Sequence, residues 1–192
     1  MQRVSVIGCS GSGKTTLARA LANRLGLRYL ELDALFHQPG WTPKPDEQLR
    51  AEIAEFARAK HWVIDGNYVS HGVSDIVWPT ADAIVWLDPP RRVIMWRVIT
   101  RTLRRVITRE ELWNGNREPW SNLWSPRPEK NIIVWSWTRF AHYRSRYEQA
   151  LSGGTWGHLD VHRLRSKREV TCKLGSMKVQ VSFDEVTPYE SL

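Results

Sequence analysis

Residues 8–15 read Gly8-Cys9-Ser10-Gly11-Ser12-Gly13-Lys14-Thr15, a full match to G-x-x-x-x-G-K-[ST]. The chemistry this spacing supports is the grip of a polyphosphate. Glycines let successive backbone N–H groups turn inward as a nest, and the helix that follows adds unpaired donors and the positive end of its dipole. Lys14 supplies a mobile point charge for the β- and γ-phosphates, Thr15 a hydroxyl for Mg²⁺, and Thr16 a further polar group beside them. A glycine-rich turn that merely precedes a helix is the bland alternative. The complete match, between a strand-like Val4-Ser5-Val6-Ile7 and a helical run, argues against it.

Three carboxylates follow strand-like segments: Asp33, Asp65 and Asp88. In an open parallel sheet, ligands bind beyond the carboxyl ends of the strands, so all three are candidates for the same crevice. An aspartate there is also ordinary turn chemistry. By hydrophobic run alone, Ala83–Asp88 is the better magnesium-binding strand; by context, Asp65-Gly66-Asn67-Tyr68 looks more like a site loop. Asp65 is taken as the magnesium-shell residue, Asp33 as the group that holds the phosphoryl acceptor, and Asp88 as structural. Between Arg91 and Arg109 lie seven arginines and no acid. Arg97, Arg101, Arg104 and Arg105 fall at i, i+4, i+7 and i+8, on one helical face. Beside a triphosphate their mutual repulsion becomes charge-assisted hydrogen bonding; otherwise the face is simply solvated or meets nucleic acid. Arg117, in a glycine-containing loop, is a second arginine that loop closure would deliver.

The elements that must position these groups alternate strand and helix. Strands are expected at Val4–Ile7, Arg28–Asp33, His61–Asp65, Ala83–Asp88 and His158–Leu164. Helices are expected from about Thr15 to Gly26, Asp46–Lys60, Arg91–Arg109 and Asn131–Leu151, with a mobile loop or lid over Leu112–Lys130. The pattern predicts an α/β fold with a parallel sheet covered on both faces. Of 192 residues, 42% are hydrophobic, enough for one globular domain. Lys and Arg outnumber Asp and Glu by 28 to 20, a net +8, which implies an anionic partner. No segment approaches the ~18 apolar residues of a membrane span, and no signal-peptide pattern is seen. A disulfide at Cys9 would obstruct the loop, so a reducing, cytoplasmic setting is expected. Eleven tryptophans are many; Trp62, Trp78 and Trp86 read as core, whereas Trp113, Trp120 and Trp124 fall in the lid and Trp41 could pack an acceptor. No metal-ligand spacing of His and Cys occurs.

The phosphate loop, Tyr29-Leu30-Glu31-Leu32-Asp33, Trp62–Tyr68, Ile84–Arg91 and Asn114-Gly115-Asn116-Arg117-Glu118 together resemble the bacterial P-loop family of adenylate-kinase-like ATPases, also called topology modulation proteins. The resemblance covers about residues 1–170. It implies a P-loop NTPase three-layer αβα sandwich, a five-stranded parallel sheet of order 2-3-1-4-5, and a lid at about 107–130. It implies ATP with Mg²⁺, which the absence of an Asn-Lys-x-Asp guanine-reading motif supports. On that template Arg97 and Arg101 are lid-base arginines, and Leu164-Arg165-Ser166 meets the adenine. Gly66 is followed by Asn67-Tyr68-Val69-Ser70 rather than an arginine, which argues against AMP as acceptor. Thr171–Leu192 carries an alternating Val179, Val181, Phe183 run, expected to be an extra strand or a tail. The leading expectation is a kinase for an unidentified small molecule; a nucleic-acid-associated ATPase and a slow ATPase module are the alternatives.

Overall fold

A computed structural model describes residues 1–153 and 156–176. In chain order the elements are β1 (Arg3–Gly8), α1 (Lys14–Leu25), β2 (Arg28–Glu31), α2 (Leu32–Phe36), a two-residue hairpin of β3 (His37–Gln38) and β4 (Thr42–Pro43), α3 (Asp46–Ala57), β5 (Trp62–Asp65), α4 (Ser74–Val77), β6 (Ala83–Leu87), α5 (Arg91–Thr108), α6 (Ile132–Ser152), β7 (Asp160–Leu164) and α7 (Lys167–Ser176). Five strands form one parallel sheet in the order β2-β5-β1-β6-β7. Renumbered among themselves, that order is the expected 2-3-1-4-5.

Period-two alternation sorts each strand's side chains between two helical layers. Ile7, Ile64, Trp62, Ile84 and Trp86 face α3, α4 and α6, where they meet Leu49, Ile53, Val77 and Tyr147. Val4, Val6, Val63, Val85 and Leu87 face α1 and α7, against Leu17, Leu21, Leu25 and the half-buried Val170 and Leu174. Full burial of each such side chain is worth about 1.5–3 kcal/mol, which makes the sheet a stiff platform for whatever its strand ends carry. Helix α1 ends where Gly26 turns left-handed and its N–H bonds the Ala22 carbonyl. A third cluster of Cys9, Ile94, Val98 and Phe140 presses α5 and α6 onto the phosphate loop.

Two expectations are corrected, and a third segment takes a definite form. The second strand stops at Glu31, because the fully buried Leu32 turns the chain into α2; Asp33 therefore sits in that helix's first turn rather than at a strand end. An acid there is favoured by the helix dipole. The segment expected as a mobile loop or lid, 112–130, carries short 3₁₀ turns joined by a buried polar network. Asn131 caps α6 by accepting from the N–H groups of Ile133 (2.9 Å) and Val134 (3.2 Å), Asn122 accepts from Ile132 N–H at 3.1 Å, and Asn122 in turn donates to Glu118. Buried amides satisfied in this way hold a loop that has no apolar periodicity. Finally, residues 171–176 belong to α7, since Val170 and Leu174 bury against the sheet. The Val179–Phe183 run lies outside the described residues.

Candidate active site

The phosphate loop connects β1, the central strand, to α1. Gly11 has φ +81°, and a Cβ there would stand 2.5 Å from Val98 Cγ2 and 2.9 Å from the Ile94 carbonyl oxygen. Glycine at this position thus lets α5 lie directly on the loop. Gly13, at φ +99°, precedes the first turn of α1 with no side-chain cap, leaving the helix's N–H donors free for a ligand. Across the loop's entry, Asn67 makes two hydrogen bonds to one residue: its Oδ1 accepts from Gly8 N–H at 3.0 Å and its Nδ2 donates to the Gly8 carbonyl at 2.7 Å.

Helix α5 brings its arginines to this loop. Arg97 Nη1 donates to the Ser12 carbonyl at 3.0 Å, and Arg101 Nη2 to Ser10 Oγ at 2.9 Å. Burial pulls the Arg101 pKa down, with Arg105 adding to the effect and Glu118 opposing it. Asp65 is buried at the end of β5, beside Lys14 and the Thr15 hydroxyl. Burial pushes its carboxyl up against the pull of both, and its Oδ1 has no hydrogen-bond partner. Ser12 Oγ is likewise buried and without a partner. Asp88 is elsewhere, in a network with Arg163 (2.5 Å), Arg144 (3.5 Å) and Arg165 (3.9 Å).

An open cleft of about 1590 Å³ runs from this loop to a second wall. Ser10, Gly11, Gly13, Lys14, Thr15, Thr16, Arg97 and Arg101 line one side. Asp33, Phe36, Trp41 and Tyr68 line the other, and the Tyr68 hydroxyl donates to Asp33 Oδ1 at 2.8 Å. The α5–α6 connection docks on this second wall. Trp113 Nε1 donates to Glu31 Oε1 (3.0 Å), Asn114 Nδ2 to the carbonyls of Ala34 (3.0 Å) and His37 (2.6 Å), and Asn116 Nδ2 to that of Gln38 (3.0 Å).

The structure places other expected residues differently. Arg105 lies in the cleft wall but 3.7 Å from Glu110 and from Glu118, so its charge is matched by the connection instead of standing free for phosphate. Arg104 pairs with Glu110 at 2.8 Å. Arg117 is half-exposed and 3.7 Å from Glu111, outside the residues that line the cleft. Arg165 lies at the end of β7 next to Asp88, also outside that lining. Trp62, Trp78 and Trp86 are core; Trp113 and Trp41 line the cleft, while Trp120 and Trp124 are exposed. Sequence reasoning assigned no role to Asn67 or Tyr68, nor to the face of α6 that carries Trp135, Arg139, His142, Tyr143 and Arg146. The helical spacing of those five was the signal for the last. Among the described residues no group of three His, Cys, Asp or Glu is arranged to hold a metal by itself, and no helix is long and apolar enough to cross a membrane.

The strand order and the loop at the end of the central strand decide the architecture. The fold is that of the P-loop NTPases. Among solved structures it is similar to the shikimate kinase of Acinetobacter baumannii in complex with shikimate (TM-score 0.54, 14% identity, 91% of this chain and 89% of that one). It is also similar to the shikimate kinase of Bacteroides thetaiotaomicron (TM-score 0.52, 14% identity, 91% and 94%). Residues 4–64 match the model of the ATPase family associated with various cellular activities (AAA). A putative adenylate kinase of Thermococcus onnurineus is 30% identical over 105 residues, 51% of this chain and 54% of that protein. A cytidylate kinase of Pyrococcus furiosus is 31% identical over 113 residues, 51% and 56%. The chain thus spans about half the length of the curated relatives it matches.

Proposed function

We propose that this chain is an ATP-dependent phosphotransferase that moves the γ-phosphoryl group to a hydroxyl of a small molecule. The observation that carries this reading is the single cleft that joins the phosphate loop and its two arginines to Asp33, a carboxylate held by a tyrosine. The similarity to adenylate, cytidylate and shikimate kinases supports it, as does the resemblance of the phosphate loop and its companion segments to the adenylate-kinase-like ATPases. Free cysteines at positions 9 and 172 suit a cytoplasmic setting.

In this reading the loop amides and Lys14 bind the β- and γ-phosphates, while Arg97 and Arg101 face the charge that develops on transfer. The acceptor oxygen forms a bond to the γ-phosphorus as the bond to the bridging oxygen breaks, and ADP leaves with that electron pair. Asp33 takes the hydroxyl proton, and its bond from Tyr68 orients it for the task. The buried, unpartnered Oδ1 of Asp65 beside the Thr15 hydroxyl fits Mg²⁺, which would neutralise phosphate charge there.

The test is an acceptor screen that follows ADP formation. At least one metabolite should stimulate turnover well above the basal rate. Asp33→Asn should lower that rate by about 10²–10⁴, and Lys14→Ala should remove Mg-ATP binding measured by calorimetry. ATP consumption that no acceptor changes, or Lys14→Ala protein that binds Mg-ATP as the wild type does, would overturn the proposal.

A further inference from the structure

Two carboxylates end adjacent strands. Glu31 closes β2 and Asp65 closes β5, and the parallel register pairs them directly, so both side chains leave the same face of the sheet. Both are buried, with exposures of 9% and 2%. Like charges this close repel in a low dielectric unless a donor stands between them. Tyr29, two residues before Glu31 and so on the same face, is that donor. Its hydroxyl lies 3.1 Å from Glu31 Oε2 and 3.4 Å from Asp65 Oδ2. One hydroxyl carries one hydrogen, so the two carboxylates compete for it.

Two other elements bias that competition. Arg19 on α1 donates to Glu31 Oε2 at 2.9 Å, and Trp113, in the α5–α6 connection, donates through Nε1 to Glu31 Oε1 at 3.0 Å. The Trp113 ring is held to this task. It is stacked on His37 at 5.8 Å and meets Trp41 edge-on at 6.3 Å, while the next residue, Asn114, is tied to the carbonyls of Ala34 and His37. Each donor on Glu31 lowers its demand for the Tyr29 hydrogen and leaves the hydroxyl to Asp65 Oδ2. Asp65 Oδ1, buried and without a partner, is then the oxygen left for the cation.

We infer that Trp113 is a positioning residue for Asp65, acting through Glu31 and Tyr29. With the connection docked, Glu31 is satisfied by Arg19 and Trp113, and Tyr29 orients the Asp65 carboxylate. Without the Trp113 N–H, Glu31 takes the Tyr29 hydrogen back, and Asp65 Oδ2 loses the donor that fixes it. The coupling is reciprocal, so a cation at Asp65 also favours the docked connection. This inference rests on the placement of Mg²⁺ at Asp65 in the reading above, and adds to it a residue of the connection that touches neither metal nor nucleotide.

The experiment uses the full chain and calorimetry with AMP-PNP, once in excess Mg²⁺ and once in EDTA. The ratio of the two affinities measures what the metal adds to binding. Trp113→Phe keeps a ring and removes the N–H. It should shrink the ratio about 2–10-fold and leave the EDTA affinity within about twofold. Tyr29→Phe, which leaves the connection untouched, should shrink the ratio by a similar factor. In the double variant the two losses should not add, because either change alone breaks the same link. Thermal melts check that each variant folds. A ratio unchanged in Trp113→Phe or in Tyr29→Phe would overturn the inference. So would additive losses in the double variant, or equal losses with and without metal, the mark of a residue that only staples the connection down. A wild-type ratio near one, or one that Asp65→Asn does not lower, would instead remove the metal placement, and this inference with it.

Discussion

Asn67 is a small side chain on which the phosphate loop depends. It holds Gly8 by both the N–H (3.0 Å) and the carbonyl (2.7 Å), at the point where β1 becomes the loop. Asn67→Ala removes both bonds. At about 0.5–1.5 kcal/mol each, the loss of stability should be about 1–3 kcal/mol. Part of that loss falls on the loop itself, whose amides must hold their arrangement before a phosphate arrives. Every 1.4 kcal/mol of lost preorganisation weakens binding about tenfold, so Mg-ATP affinity should fall by roughly that factor. Asn67→Asp should be worse than alanine, because it puts a carboxylate oxygen where the amide donated to the Gly8 carbonyl. Urea unfolding gives the stability change, and calorimetry with Mg-ATP gives the affinity. If Asn67→Ala unfolds within about 0.3 kcal/mol of the wild type and binds Mg-ATP unchanged, the clamp contributes nothing and the reasoning is wrong.

Other expectations follow from the same geometry. Glu118→Ala strips a buried carboxylate from the partly buried Arg105; breaking a fully buried pair costs about 3–5 kcal/mol, and less is expected here because Arg105 is partly exposed and Glu110 stays 3.7 Å away, as urea unfolding would measure. Burial pushes the Asp82 carboxyl up, but the N–H groups of Gln2 and Arg3 and the Arg3 guanidinium outweigh it and hold it below 3.8. A carboxyl lowered in the folded state stabilises above its unfolded pKa, and the gain is lost as pH falls through the folded value. The stability difference between wild type and Asp82→Asn should therefore be full at pH 7, no more than about 1 kcal/mol as for an exposed ion pair, and should shrink as the pH falls below about 4 in thermal melts. Burial pushes the Cys9 thiol up to about 11, while Cys172 is exposed. Iodoacetamide at pH 8, followed by peptide mass mapping, should label Cys172 and leave Cys9 unmodified in the folded protein.

The sequence made legible what is local. The phosphate loop is eight consecutive residues, and the strand faces follow from alternation within each segment, so both appear in the structure as expected. Asp33 was placed at a strand end because Tyr29-Leu30-Glu31-Leu32 alternates. Yet the burial of Leu32 turns the chain into a helix two residues earlier, a tertiary demand that no local pattern encodes. The partners of Arg105 and Arg117 were illegible for a similar reason. Their carboxylates, Glu118 and Glu111, lie within a connection whose shape is set by buried asparagines rather than by apolar periodicity. Asn67 was visible as part of a site-like loop, but its bonds to Gly8 span 59 positions and emerge only when β1 and β5 pair.

The distribution of charge in the folded chain says more than the net +8. Arg19, Arg104 and Arg105 line the cleft, but each meets a glutamate of this chain: Glu31 at 2.9 Å, Glu110 at 2.8 Å and Glu118 at 3.7 Å. Among the cations that line the cleft, Lys14, Arg97, Arg101, Lys130, Arg139 and Arg146 have no carboxylate of the described residues at ion-pair distance. Arg97 and Arg101 touch the phosphate loop, and Arg139 and Arg146 stand on the face of α6 that lines the same cleft. A cleft whose cations are left without internal carboxylates favours an anionic ligand, because those charges are neutralised only when it binds.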